Sequence, residues 1–274
     1  LELLKHRLKV KRAKEKLKYT NNGVVRRVTY DVPGVGRQTA YWIPPPQDAF
    51  ETCGALQQGD DEAPSQPTPP LRVWLAYGGN AALAMDWLAF AAEYMSSTRR
   101  TSPPGPVSFF LVDYPGYGRN KGAPTPDGIL QETDLALKAL EHKMRVYFQS
   151  SKQSDCYPLS KNNFFQISMV GHSLGCAAAL QYGAMTGGSR ARHVDKYVLV
   201  SPFTSMLEMT KQVVGPLPFV KYILRHDFDN VEKLGKVANC TACSSDEERQ
   251  VFARRGVSIK ILHGDRDEIV PAAM

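Results

Sequence analysis

The chain has 274 residues, 43% of them apolar, which is enough to bury one large core and short for two domains. Its formal net charge of +7 misleads, because residues 1–18 carry eight Lys or Arg against two Glu and leave the remainder close to neutral at +1. A nucleic-acid-binding domain would spread its basic residues over a folded face, so that class is excluded; the longest apolar stretch, 81–95, contains Asp86 and Glu93 and is too short to cross a bilayer.

In chain order, residues 1–22 read as a basic tail. Leu1, Leu4, Leu8 and Leu17 interleave with its cations, the pattern of a helix lying on an anionic membrane surface. A solvated, partly disordered leader accounts for the same residues with less. Residues 24–31 and 38–43 are strand-like runs joined through Pro33-Gly34-Val35-Gly36, an opening hairpin. Residues 44–70, rich in Pro, Gln, Gly and acid, form a disordered surface insertion. A strand over 71–77 then ends in Gly78-Gly79-Asn80, a helix spans about 82–95, and a strand over 107–113 ends in Asp113-Tyr114-Pro115-Gly116-Tyr117-Gly118. From Asp127 the positions Ile129, Leu130, Thr133, Leu135, Leu137, Leu140, Met144 and Val146 repeat with helical period.

Next comes the most informative segment. The apolar run 164–170 reads as a buried strand, Gly171-His172-Ser173-Leu174-Gly175 as a sharp turn, and the small-residue run 176–182 as a helix. Strand, Gly-x-Ser-x-Gly, helix is the layout of a nucleophile elbow, which lifts a serine hydroxyl clear of the sheet. A strand over 196–200 follows, ending in Ser201-Pro202, and a last strand over 257–262 ends in His263-Gly264-Asp265-Arg266-Asp267. The long 206–256 connection holds an apolar stretch at 213–220 and a helix at 246–255, and reads as a cap over a pocket or as extra packing on the domain. Alternating strands and helices imply a mostly parallel sheet covered on both faces, with the chemistry at the carboxyl ends of its strands.

Acyl transfer by a serine needs a nucleophile, an oxyanion hole, a histidine base and an acid that orients it. Ser173 is the expected nucleophile. The backbone N–H of Leu174, opening the elbow helix, is one expected oxyanion donor, and the backbone N–H of Asn80 in the Gly78-Gly79-Asn80-Ala81 loop is the other. Those glycines also read as a plain tight turn. The acid is assigned to Asp267; Asp265, its rival, reads as a turn cap, and Asp113 as structural because it precedes the elbow. No metal or organic cofactor is called for. Five cysteines (Cys53, Cys156, Cys176, Cys240, Cys243) lack a disulfide framework, and Cys240-x-x-Cys243 lacks the second pair of a zinc site. Asn239-Cys240-Thr241 is a formal glycosylation acceptor that matters only in a secreted chain. The expected location is the cytoplasm or the cytoplasmic face of a membrane, with an upstream anchor left open because the first residue is Leu.

These segments together resemble the α/β-hydrolases, and within them the single-domain serine hydrolases that include protein depalmitoylases and monoacylglycerol-lipase-like esterases. Four stretches carry the resemblance: Tyr77-Gly78-Gly79-Asn80-Ala81, Val112 to Gly118, Gly171 to Gly175, and Leu262 to Pro271. The segment 227–234 also resembles the one these relatives place shortly before the acid strand. The resemblance implies an α/β-hydrolase fold over 23–274, a cap between the last two strands, and hydrolysis of a carboxylic ester or thioester of acyl or lipid type. A serine peptidase or aminopeptidase of the same fold, or a non-catalytic binding protein, are the alternatives. Two departures stand out. Gly78-Gly79 replaces the usual His-Gly, and the base expected some tens of residues after the acid would fall beyond Met274, as would a closing helix, strand and helix. His172 adjoins the nucleophile with its side chain expected to point away, His263 reads as a turn residue, His226 is an outside candidate, and His6, His142 and His193 have no positional claim.

Overall fold

Period-two burial marks the first hairpin. In β1 (Arg26–Val32) Val28, Tyr30 and Val32 face inward while Arg27, Thr29 and Asp31 face out, and β2 (Gly36–Ile43) pairs with it antiparallel. The computed structural model describes residues 10–15, 24–46, 71–98, 106–150, 164–185, 194–214, 226, 228–239, 257–265, 267 and 270. Within them, β3 (Leu71–Tyr77), β4 (Val107–Val112) and β5 (Phe165–His172) are buried along almost their whole length, as strands covered on both faces are. β6 (Val194–Val200) and β7 (Ser258–Leu262) complete an open sheet of seven strands in the order β1-β2-β4-β3-β5-β6-β7. β2 is antiparallel to both its neighbours; every other pairing from β4 to β7 is parallel.

Helices cover both faces. On one side α1 (Leu88–Thr98) buries Leu88, Ala91, Ala92 and Met95 against Ile43, Trp74, Phe109 and Leu111. On the other, α2 (Pro126–Ser150) lays down Ile129, Thr133, Ala136, Leu137, Leu140, Met144 and Phe148, an apolar stripe with the helical period. Glu132 sits in the same stripe at 3% exposure. Alongside it runs α3 (Leu174–Met185), whose Ala177, Ala178 and Ala179 are buried together, so it is enclosed by the core rather than amphipathic. α4 (Met206–Val214) follows β6, and α5 (Asn230–Asn239) packs on α3 with Val237 buried.

Two local readings change. The helix expected over 82–95 opens as a 3₁₀ turn, Ala84–Trp87, and becomes α-helical only from Leu88. The cause is capping: the Ala84 amide donates to Asp113 Oδ1 (2.6 Å) and the Leu83 amide to Asp86 Oδ2 (2.8 Å), which tightens the first turn. Residues 10–15 of the basic segment are helical and dock on the domain, with Ala13 at 5% exposure in the α1 cluster and Lys11, Arg12 and Lys14 facing solvent. Part of the 206–256 connection likewise belongs to the helical layer, because α5 covers α3. The stretch 215–220, the helix expected at 246–255, the insertion from 47 to 70 and the pair Cys240 and Cys243 lie outside the described residues. Among those described, no helix is long and apolar enough to cross a membrane.

Candidate active site

The turn after β5 has the backbone that an elbow requires. Ser173 sits at φ 52°, in the left-handed region where an L residue with a Cβ is strained. Neighbouring backbone holds it there: the Ser173 amide donates to the Val200 carbonyl (2.9 Å), and the Cys176 amide to the Ser173 carbonyl (2.9 Å). Both flanking glycines are sterically obligatory. A Cβ on Gly171 would run into the backbone of Gly175 and Cys176, and a Cβ on Gly175 into the carbonyls of Tyr77 and Gly78. The close approach at Gly175 therefore brings the first turn of α3 against the loop that follows β3. Leu174 is the first residue of α3, and its amide, like any opening helical amide, has no acceptor inside the helix. Cys176 lies beneath, its Sγ 3.3 Å from the carbonyls of Gly171 and Val200, and burial pushes its thiol up to about 12. It is a structural thiol, not a nucleophile.

The loop after β3 makes a tight turn in which the Ala82 amide donates to the Gly79 carbonyl (3.1 Å), with Ala81 at φ 61°. Because the peptide between Gly79 and Asn80 is planar and its carbonyl points into the turn, the Asn80 amide on its opposite edge faces out. Among the described residues, neither the Asn80 nor the Leu174 amide donates to a protein acceptor. Asn80 itself is exposed. Register sets the remaining distance: β3 and β5 are adjacent with Tyr77 opposite Gly171, so the loop and the elbow leave the sheet side by side.

Asp267 follows β7, with β6 alone between it and the elbow strand. At the usual strand spacing that leaves about 10 Å, room for an imidazole with a hydrogen bond on each side. The Asp267 amide donates to the Gly264 carbonyl (3.3 Å), and Asp267 Oδ1 accepts from the Val270 amide (2.9 Å). The side chain that closes a turn here is thus Asp267, whereas Asp265, expected to cap, is exposed. Asp113 is buried and structural: besides the Ala84 amide at Oδ1, its carboxylate fills the place where a Cβ on Gly118 would stand, and burial raises its acid above the ordinary range.

One antiparallel strand in second place, β4 inserted between β2 and β3, and a strained serine closing β5 decide the architecture. This is the α/β-hydrolase fold. No protein-family model matches it. It is 25% identical over 165 residues to an uncharacterized protein, YfhR, of Salmonella typhi, covering 60% of this chain and 46% of that one. It is 26% identical over 162 residues to the alpha/beta hydrolase domain-containing protein WAV2 of Arabidopsis thaliana, covering 59% of this chain and 44% of that one. The chain thus spans about half the length of the curated relatives it matches. Among solved structures, a lipase/esterase from Lactobacillus plantarum superposes with a TM-score of 0.46 at 10% identity, covering 91% of this chain and 81% of that one.

Within this fold the described histidines are spread out. The His172 ring lies against the Gly79 backbone, where a Cβ on Gly79 would come within 2.9 Å of its Nδ1. His263 Nε2 bonds the Val270 carbonyl and stands 3.9 Å from Asp267 Oδ2, so it braces the same turn as Asp267. His142 and His226 are exposed. His6 and His193 lie outside the described residues. Among those described, no group of three or more His, Cys, Asp or Glu is arranged to hold a metal ion. Tyr114 and Tyr117, in sequence only part of a strand-end motif, send their hydroxyls to Gly78 and Asn80, and Glu132, without a sequence motif, is marked only by its place in a helical apolar stripe.

Proposed function

We propose that this α/β-hydrolase cleaves carboxylic esters or thioesters of acyl or lipid type through an acyl-enzyme on Ser173. The observation that carries the reading is the strained elbow. Holding Ser173 at φ 52° costs about 1–2 kcal/mol in stability, and backbone strain of this kind gathers at active sites, which supports a hydroxyl held out for attack at this spot. The amide of Leu174, the next residue, and that of Asn80 have no protein acceptor among the described residues, which suits them to an anionic oxygen.

In the proposed cycle Ser173 Oγ attacks the substrate carbonyl carbon while its proton passes to a histidine. The carbonyl oxygen becomes an oxyanion held by the Leu174 and Asn80 amides. Collapse of that intermediate breaks the bond to the leaving alcohol or thiol, which takes the proton from the histidine. Water then repeats the steps, releasing the acid and restoring Ser173. Asp267 orients the histidine and stabilises its charged form. His263, the described histidine nearest Asp267 in the chain, is occupied at the Val270 carbonyl.

The test is labelling of the full-length protein by a fluorophosphonate probe, alongside turnover of matched acyl esters, acyl thioesters and aminoacyl amides. Ser173→Ala is expected to abolish labelling and turnover, with esters or thioesters preferred over amides. Labelling that survives Ser173→Ala would sink the assignment, and a preference for aminoacyl amides would move the reading to a peptidase.

A further inference from the structure

We infer that Tyr114 and Tyr117 are positioning residues, two hydroxyl clamps that hold the Gly78-Gly79-Asn80 loop in the conformation that presents the Asn80 amide. The inference rests on the reading of Ser173 and Asn80 above and deepens it. Gly78-Gly79 is the most permissive dipeptide a chain can place in a loop, and here it stands where the resembling hydrolases carry His-Gly. An oxyanion donor works through preorganisation, so a loop this free needs fixing from outside itself.

The loop after β4 supplies the fixing at three points. Tyr114 Oη donates to the Gly78 carbonyl (2.6 Å), Tyr117 Oη donates to Asn80 Oδ1 (2.8 Å), and Asp113 Oδ1 accepts from the Ala84 amide (2.6 Å). The two tyrosines bracket the peptide that carries the Asn80 N–H, one on each side. Tyr114 cannot drift. It is buried, its ring stacks on Tyr77 with centroids 5.6 Å apart and planes within 4°, and the Tyr77 hydroxyl is itself bonded to Thr133. The Tyr117 ring meets the Tyr114 ring edge-on at 5.2 Å. Two left-handed glycines, Gly116 at φ 80° and Gly118 at φ 58°, give the chain between β4 and α2 the turn that aims both hydroxyls at one loop. Their arrangement accounts for Tyr-x-x-Tyr at this place: the first tyrosine fixes the Gly78–Gly79 peptide, one before the peptide that carries the Asn80 N–H, from the core side, and the second fixes the Asn80 side chain from the solvent side.

The experiment compares Tyr114→Phe, Tyr117→Phe and Ser173→Ala in the full-length protein, reading kcat and KM on a short acyl ester, the fluorophosphonate labelling rate and the melting temperature. Tyr117→Phe removes only a solvent-side hydroxyl and is expected to leave the melting temperature unchanged. It should lower kcat and the labelling rate together, about tenfold, with KM within about twofold, below the roughly 10²-fold that a 1 Å misplacement can cost. Tyr114→Phe, which also leaves the Gly78 carbonyl without its donor, should cost more in kcat. A Tyr117→Phe enzyme with kcat and labelling within about twofold of wild type, while Ser173→Ala is dead, would overturn the clamp and leave the Ser173 reading standing. A rise in KM at unchanged kcat would also overturn it, because it would make Tyr117 a substrate contact. Full labelling of Ser173→Ala would remove the Ser173 reading and the clamp with it.

Discussion

Replacing Glu132 by Gln should make the protein more stable, and only at higher pH. The carboxyl lies in the apolar stripe of α2 at 3% exposure; Oε1 accepts from Gln38 Nε2 (3.2 Å), while Oε2 is buried without a hydrogen-bond partner. The buried Tyr30 hydroxyl is also without a partner. Burial raises the Glu132 acid from 4.5 to about 7. Between those values the native state holds a proton that the unfolded chain has released, so stability falls as pH rises through the window and levels off above it. The full shift corresponds to roughly 3 kcal/mol, and the Gln38 bond with local relaxation brings the expected loss nearer 2 kcal/mol. Glutamine keeps the shape and cannot ionise. Any constant packing penalty of Glu132→Gln applies at every pH, so the slope is the readout. Thermal melts from pH 4.5 to 8.5 should show the variant gaining on wild type by about 4–8 °C across the window, taking roughly 2–4 °C per kcal/mol for a domain of this size. A difference in melting temperature that is flat in pH, or that turns against the variant as pH rises, would refute the reasoning.

Ser173→Gly should trade activity for stability: relief of the left-handed strain is worth about 1 kcal/mol, seen as a higher urea midpoint in a protein that no longer turns over, and a lower midpoint would show that no strain is stored there. Arg72 grips Asp195 (2.9 and 2.7 Å), Ser168 (2.6 Å) and Gln166 (3.1 Å), tying β3, β5 and β6 together away from the end of the sheet that carries Ser173. Arg72→Ala leaves the Asp195 carboxylate at 16% exposure with the Ser168 hydroxyl but no cation, and should cost about 2–3 kcal/mol in denaturant melts while kcat stays within about twofold.

The elbow was legible in the sequence because everything that makes it is local. Gly171, Ser173 and Gly175 lie within five residues, the strand before them is a continuous apolar run, and the helix after them is built of small residues. The hairpin of β1 and β2 and the strands β3, β4 and β7 were legible for the same reason, from alternation or from apolar runs cut off by turn residues. Chain order then ranked Asp267 above Asp113. What only the tertiary structure decided rests on contacts between residues far apart in the chain. Tyr114 and Gly78 are 36 positions apart, Gln38 and Glu132 are 94, and Arg72 and Asp195 are 123. No periodicity records such a pair, because periodicity reports which face of an element is buried and never what it meets. For that reason the half of the 3₁₀ start of the 82–95 helix that depends on Asp113, a carboxylate beyond the next strand, did not show in the segment's own residues. Ala13 is buried for the same kind of reason: a basic segment read alone looks solvated, yet the α1 cluster offers it an apolar place to dock. Local chemistry wrote the turns, and packing between distant strands decided which polar groups those turns bring together.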